Sequence, residues 1–187
     1  EPYLASLRGP GAAPGGEVSL LTLGGLSRRV VDLFWPLASE AAGFAHPDQP
    51  PVFLNLETAQ YYMAHIVRPL LDEGYFESVT IDRNRLYSQV IDNLNNAASV
   101  GFSPESIREK LKSAWGGKPG QELVYDQAQD CAICFRQYCL KNNLLDYSLQ
   151  LELFTNRVWP SFLARTYLTS SYKHLIYDNI EEDVPVA

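Results

Sequence analysis

A chain of 187 residues is long enough for one sizeable hydrophobic core, or for a core with a small appendage. Its content of 46% hydrophobic and 20% charged residues is typical of a folded protein and excludes an intrinsically disordered one. The net charge of -7, from 15 basic and 22 acidic residues, argues against a surface that binds nucleic acid by bulk charge alone, but it leaves room for a local basic stripe.

The chain shows no sign of membrane insertion or secretion. No apolar run approaches the roughly 20 residues that a membrane-spanning helix needs. The N-terminus has no basic segment followed by an apolar stretch, which is the pattern of a signal peptide. We therefore expect a cytoplasmic protein with no membrane partner. Because the chain begins with Glu1 rather than Met, we also expect it to be a piece of a longer protein.

The three cysteines are Cys131, Cys134 and Cys139. An odd number without a secretory context argues against a disulfide framework. The Cys131–Cys134 spacing occurs in some metal and redox sites, yet the pair lies in a helix-like run without a second cysteine pair. Reduced thiols on a buried helix face are the favoured interpretation, and an iron–sulfur or zinc site is the alternative.

The first elements predicted along the chain are a strand, a tight turn and a helix. Residues 1–16 contain several Gly and Pro residues and predict a loop after a short helical piece. Residues 18–22 predict a strand, which Gly24 and Gly25 interrupt. Residues 26–34 then carry apolar side chains at helical spacing.

A large helical block is predicted next, and a strand closes the chain. The helices are expected at residues 59–71, 82 to about 101, 103–115, 121–142, 147–154 and 163–169. Asp82, Ser103 and Asp146 are predicted to stand at the start of three of them, and residues 44–51 predict a linker. The closing strand is expected at residues 173–177. Because two single strands do not make a stable sheet, their partners are expected outside this chain or in another copy.

The closing strand ends in a cluster of acidic residues. The apolar run Leu175 to Tyr177 is followed by Asp178, and further carboxylates come soon after. A buried strand that delivers a carboxylate to the ligand-binding edge of an α/β sheet has this pattern. In nucleotide hydrolases such an Asp holds the Mg²⁺ that bridges the phosphates.

Three segments, in the right order, resemble motifs of the UvrD/Rep-like DNA helicases of superfamily one. Residues 18–29 resemble the strand–Thr–aromatic–His–Ser/Gly motif that contacts single-stranded DNA. Residues 144–149 resemble the Leu-Asp-Phe-Asp-Asp-Leu segment before the last helix of the helical insertion called 1B. Residues 174–182 resemble the Walker B motif. The predicted helical block has the position and size of the 1B insertion.

The resemblance implies a mostly α-helical fragment of an α/β P-loop NTPase, in which a 1B-like insertion is flanked by short strands of an incomplete parallel sheet. It places a partial segment of motor domain 1A at residues 1–40, the 1B-like subdomain at 41–168 and the return to 1A at 169–187. It implies DNA as a partner, and ATP and Mg²⁺ as cofactors, of the full-length protein. The fragment itself is expected to be inactive and without cofactors, because it lacks the phosphate loop Gly-x-x-x-x-Gly-Lys-Ser/Thr.

The resemblance also assigns the residues of a degenerate ATPase site. Asp178 takes the position of the Asp that binds magnesium. Asn179 stands where the family has its catalytic Glu, and Glu181 aligns with the Gln that senses the γ-phosphate. A neutral amide orients water but is no base, and a carboxylate at residue 181 adds negative charge near the phosphates. These substitutions favour a weakened or lost motor function.

Thr22, Gly24, Gly25 and Arg28 are the DNA-binding residues that the resemblance implies. Where the family has aromatic, His and Ser side chains, the two glycines leave only backbone amides. The alternative for the glycines is a turn that needs them for its backbone conformation. The alternative for Arg28 is an ordinary surface charge.

Three functions remain open at this point. The chain is a fragment of an ATP-dependent DNA helicase or DNA-repair ATPase, or a catalytically degenerate helicase-like scaffold or DNA-binding subunit, or a helical protein-interaction module. Asn179 and the glycine pair favour the second. The exposed edges of the predicted strands are expected to drive non-physiological dimers of the excised piece.

Overall fold

The computed structural model of the protein describes residues 18–117, 122–178 and 185. This part of the chain is mostly α-helical, as predicted. The α-helices are Leu23–Leu33 (α1), Trp35–Ala38 (α2), Leu56–Asp72 (α3), Arg83–Ser99 (α4), Ile107–Ser113 (α5), Glu122–Lys141 (α6), Tyr147–Leu153 (α7) and Phe162–Ser171 (α8). A 3₁₀ turn at Pro104–Ser106 precedes α5, and a π-helical turn at Phe154–Val158 follows α7.

Side-chain caps determine where most of these helices begin. The cap residues whose side chains accept a backbone N–H of the first turn are Thr22, Asn55, Asp82, Ser103, Asp146 and Ser161. Such a cap satisfies one of the backbone donors that the first turn leaves unpaired. The predicted starts at Asp82, Ser103 and Asp146 are thereby confirmed. None of the described helices is long and apolar enough to cross a membrane.

Two dipeptide strands form the described β-structure. Val52–Phe53 (β1) and Leu144–Leu145 (β2) pair in parallel, with Val52 opposite Leu144. The Val52 N–H donates to Asn143 O at 2.8 Å, and the Leu54 N–H donates to Leu145 O at 2.7 Å. Strands this short do not stabilise a sheet on their own. The pair therefore acts as a tie between the segment before α3 and the connection from α6 to α7.

The two predicted strands at residues 18–22 and 173–177 are irregular in the structure. Thr22 caps α1, so Gly24 and Gly25 lie within its first turn rather than between a strand and a helix. Leu175 and Ile176 are 80% and 93% exposed. Neither segment has a described strand beside it, and a strand without a partner leaves its backbone groups unpaired. The predicted flanking strands of an incomplete sheet are therefore wrong for the described residues.

One hydrophobic core joins residues from α1 to α8. Its largest fully buried apolar side chains are Phe135, Met63, Ile91, Leu94, Leu145 and Leu151. The long helix α6 packs against α3, α4 and α5, while α7 packs against α1 and α4. Val30 of α1 and Ala164 of α8 belong to the same core. The division at residues 40 and 168 stays a prediction, and apolar packing runs across the first of these boundaries.

Candidate functional site

The first turn of α1 brings four predicted DNA-binding residues together. Thr22 has an extended backbone, and its hydroxyl accepts the Gly25 N–H at 3.0 Å. The Leu26 N–H donates to Thr22 O at 2.9 Å and closes the turn. Thr22 and Arg28 are exposed, and the two glycines are half-buried. Thr22, Gly24, Gly25 and Arg28 thus lie within two turns at one end of a helix.

Helix α7 holds this turn in place through Gln150. Gln150 is only 7% exposed. Its side-chain Nε2 donates to Gly24 O at 2.9 Å and to Ser27 Oγ at 2.7 Å. The fully buried Ser27 hydroxyl in turn donates to Gly24 O at 3.0 Å. These contacts join residues that are 126 and 123 positions apart in sequence. They attach the start of α1 to the helix that follows the 144–145 strand.

Packing explains why residue 24 is glycine. A Cβ at Gly24 would lie 3.1 Å from Cε2 of the Tyr147 ring, which is closer than an ordinary van der Waals contact. Gly24 therefore allows α1 and α7 to approach each other. Residues 18–29 and 144–149 meet at this contact.

Packing does not explain why residue 25 is glycine. A Cβ there would meet Thr22 Oγ1 at 3.4 Å and Leu21 Cδ2 at 3.8 Å, which are ordinary contacts. The backbone is helical at this position and has no left-handed φ that would favour glycine. A helical glycine with room for a side chain costs stability relative to alanine.

We expect Gly25→Ala to raise the free energy of unfolding by about 0.5 kcal/mol, because alanine loses less backbone entropy in a helix. Gly24→Ala is the matched control in the same turn, and we expect it to lower stability because the Tyr147 ring must move. Urea unfolding followed by far-ultraviolet circular dichroism measures both. If the Gly25→Ala variant is less stable than the parent chain, the claim that a Cβ fits at residue 25 is wrong.

Arg28 stacks on an aromatic ring. Its guanidinium carbon lies 4.5 Å from the centroid of the Phe53 ring in β1. A cation–π contact of this kind contributes about 0.5–1 kcal/mol at an exposed site. The contact lies at the guanidinium carbon, and a guanidinium carries several N–H donors that can meet a phosphate. Arg28 is thus an exposed cation with one aromatic contact, and its role in DNA binding stays a prediction.

Asp146 caps α7, as predicted, and also belongs to a buried charge network. Its carboxylate accepts the N–H groups of Ser148 and Leu149, each at 3.2 Å, and the Ser148 hydroxyl. Arg136 of α6 places Nη1 3.6 Å from Asp146 Oδ1, and its Nη2 donates to Ser148 Oγ at 2.9 Å. The same Nη2 lies 3.4 Å from a Glu152 carboxylate oxygen. The role of Asp146 is structural, because both oxygens are committed to the helix start and to Arg136.

Burial shifts the titration of groups around this network. Desolvation raises the pKa of the Glu152 carboxyl, and the Arg136 guanidinium opposes that rise. Burial raises the pKa of the Cys131 thiol to about 12, and it also raises the pKa of Cys139. Cys131 and Cys139 are fully buried and Cys134 is half-buried. Thiolates are the reactive and metal-binding form, so Cys131 is a neutral core side chain at neutral pH.

The predicted ATPase residues lie at the far end of the chain. Asp178 is exposed and follows the irregular segment 172–177. Asn179 and Glu181 lie outside the described residues. Within the described ranges, no group of three or more His, Cys, Asp or Glu side chains is placed to hold a metal ion.

Sequence reasoning missed Gln150, Ser27 and Arg136. A signal for Gln150 was present, because it stands between Leu149 and Leu151 in a short apolar run, where a polar side chain must find buried partners. The identity of those partners was not visible, since they are more than 120 positions away. Comparison of the chain with protein-family models, curated proteins and solved structures found no match.

Proposed function

We propose that this chain is the 1B-like helical part of a UvrD/Rep-like DNA helicase or DNA-repair ATPase, with adjoining pieces of its first motor domain. The contact between α1 and α7 is the observation that supports this proposal most directly. Residues 18–29 and 144–149 resemble helicase motifs independently, and Gly24 packs against Tyr147 between them.

In this proposal, the start of α1 contacts the backbone of single-stranded DNA. Phosphate groups are favoured at a helix N-terminus, because the first N–H groups and the helix dipole both point towards them. Gly25 carries no side chain and the fold does not otherwise require glycine there. Its N–H already donates to Thr22 Oγ1 at 3.0 Å, so a phosphate would have to replace that hydroxyl or use the N–H groups before it. Arg28 adds a positive charge, and its guanidinium contacts the Phe53 ring.

The same proposal assigns the ATP and Mg²⁺ chemistry to the full-length protein. The exposed carboxylate of Asp178 is an oxygen ligand of the kind that Mg²⁺ prefers. Within the described residues, however, it belongs to no group of three or more His, Cys, Asp or Glu side chains that could hold a metal ion, so further ligands would have to come from other parts of the protein. The metal supplies charge stabilisation at the phosphates. The phosphate loop must come from another part of the protein, because these 187 residues do not contain one.

A degenerate scaffold or DNA-binding subunit is the second candidate, and Asn179 is the residue that favours it. An amide at the position of the catalytic Glu cannot accept a proton from the attacking water. The DNA-contacting turn of α1 serves both candidates equally. They differ only in whether ATP is hydrolysed.

DNA binding by the chain tests the part that the candidates share. We expect the 187-residue protein to bind a fluorescently labelled fork with a single-stranded arm at low salt. Arg28→Glu is expected to weaken this binding about fivefold to tenfold, and to lower the slope of log affinity against log salt by about 1. Fluorescence anisotropy at several salt concentrations measures both quantities.

Arg83→Glu is the matched control, because it makes the same charge change at an exposed position in α4. We expect it to leave DNA affinity close to that of the parent chain. Equal losses for Arg28→Glu and Arg83→Glu would show that only the total charge matters, and would remove α1 from the proposal. Absence of binding at low salt would count against the DNA contact altogether.

A further inference from the structure

Gln150 occupies an unusual environment for a polar side chain. Its neighbours Leu149 and Leu151 are 3% and 0% exposed, and Gln150 itself is 7% exposed. A buried amide costs free energy unless its hydrogen-bonding groups are satisfied. A leucine at this position would match the surrounding apolar residues without that requirement. We therefore expect the Gln150 amide to have a structural effect that a leucine could not have.

That effect is a defined register between α1 and α7. The two acceptors of Gln150 Nε2 are Gly24 O, at 2.9 Å, and Ser27 Oγ, at 2.7 Å. They lie one helical turn apart on α1, and the Ser27 hydroxyl closes a triangle by donating to Gly24 O at 3.0 Å. Hydrogen bonds depend on distance and angle, whereas apolar contact tolerates sliding. A shift of α1 along α7 would break both contacts.

The residues fixed in this way are a predicted DNA contact, Gly24, and Ser27, a neighbour of another. Gly24 immediately precedes Gly25, and Ser27 immediately precedes Arg28. The hydrogen bonds to Gly24 O and Ser27 Oγ thus fix the orientation of the Gly25 backbone. They also fix the position from which the Arg28 side chain extends towards Phe53. Gln150 is on the buried side of the turn.

We infer that Gln150 is a positioning residue, which holds the first turn of α1 in its DNA-contacting orientation without touching DNA. The inference rests on the proposed function, because it takes the start of α1 as the DNA contact. It predicts that a change in the core lowers DNA affinity without altering the charge of the binding surface.

Gln150→Leu tests the inference, and Gln129→Leu is a matched control. Gln129 is 6% exposed and also makes two buried contacts, since its Nε2 donates to Pro104 O at 2.9 Å and its Oε1 accepts the Arg108 N–H at 3.0 Å. Both variants are expected to unfold at lower urea concentration. DNA affinity is therefore measured by anisotropy under conditions in which circular dichroism shows each variant fully folded.

We expect Gln150→Leu to lower affinity for the forked DNA about fivefold to tenfold, through loss of the defined turn, while Gln129→Leu stays near the parent value. We also expect amide hydrogen exchange at Gly25, Leu26 and Ser27 to become faster in Gln150→Leu only. Exchange needs no DNA, so it reports on positioning independently of the proposed function.

The outcomes of these experiments distinguish the positioning role of Gln150 from the proposed DNA-binding function. Unchanged exchange at the start of α1 in Gln150→Leu overturns the positioning role, whatever DNA does. Faster exchange with unchanged DNA affinity also overturns it, because the turn would then not be a DNA contact that needs holding. Failure of the parent chain to bind DNA, with faster exchange in the variant, overturns the proposed function and retains Gln150 only as a structural anchor.

Discussion

Asp146→Ala is expected to lower the free energy of unfolding by about 3–5 kcal/mol. The substitution removes one of the two acidic partners of Arg136, whose side chain is 9% exposed, and leaves only the partly exposed Glu152 carboxylate to compensate the buried guanidinium. It also removes the cap that accepts the Ser148 and Leu149 N–H groups, which contributes about 1 kcal/mol. Urea unfolding followed by circular dichroism measures the loss.

Two further variants separate the charge from the cap. Asp146→Asn retains a capping oxygen and loses only the charge, so we expect a smaller loss than for Asp146→Ala. Replacing Arg136 by Met in the Asp146→Asn background removes the orphaned cation, and we expect it to recover part of the stability. If Asp146→Ala lowers the free energy of unfolding by only about 1 kcal/mol, only the cap contributes, and the Arg136 guanidinium is hydrated in the variant.

The network around Asp146 has an imperfect hydrogen-bonding geometry. Arg136 Nε and Nη1 have no hydrogen-bond partner among the described residues. A buried ion pair of this kind contributes little compared with apolar packing, yet removal of one member is costly. Asp146 and Ser148 thereby hold α7 against α6, while Gln150 of the same helix holds α1.

The helices could be predicted from the sequence because their signals are local. Asp82, Ser103 and Asp146 cap their own first turns within three residues, so each start is visible in a short window. The predicted strands at residues 18–22 and 173–177 were wrong because a strand needs a partner, and a pattern of apolar residues does not reveal whether one exists. The dipeptide strands β1 and β2 are too short to show a period of two.

The candidate site could be predicted only in part. The spacing of Thr22, Gly24, Gly25 and Arg28 placed them near one another, but across a strand, a turn and a helix rather than at the capped start of one helix. The partners that hold this turn come from α7, and contacts between residues 123 or more positions apart leave no trace in local sequence. The pairing of Arg136 with Ser148 was missed for another reason, because these residues are only 12 positions apart but lie on different helices.

The largest expected effect on activity concerns Asn179. If the proposed function holds, a full-length protein would supply the phosphate loop, and in it we expect the parent sequence to hydrolyse ATP slowly, even with single-stranded DNA present. Asn179→Glu is expected to raise the DNA-stimulated rate by about 10²–10⁴-fold, because a carboxylate at this position can accept a proton from the attacking water. A coupled assay of ADP release measures the rate.

Asn179→Gln is the matched control, since glutamine has the reach of glutamate but is not a base. We expect it to leave the rate at the parent level, and we expect Asp178→Ala to abolish the gain by removing the magnesium ligand. If the parent protein hydrolyses ATP rapidly and Asp178→Ala abolishes this activity, another residue is the base. No hydrolysis in the parent or in Asn179→Glu, together with no nucleotide binding, would contradict the ATPase proposal. The DNA contact at α1 would then remain as the activity to be tested, because it depends on Gly25, Arg28 and Gln150 and not on the acidic segment.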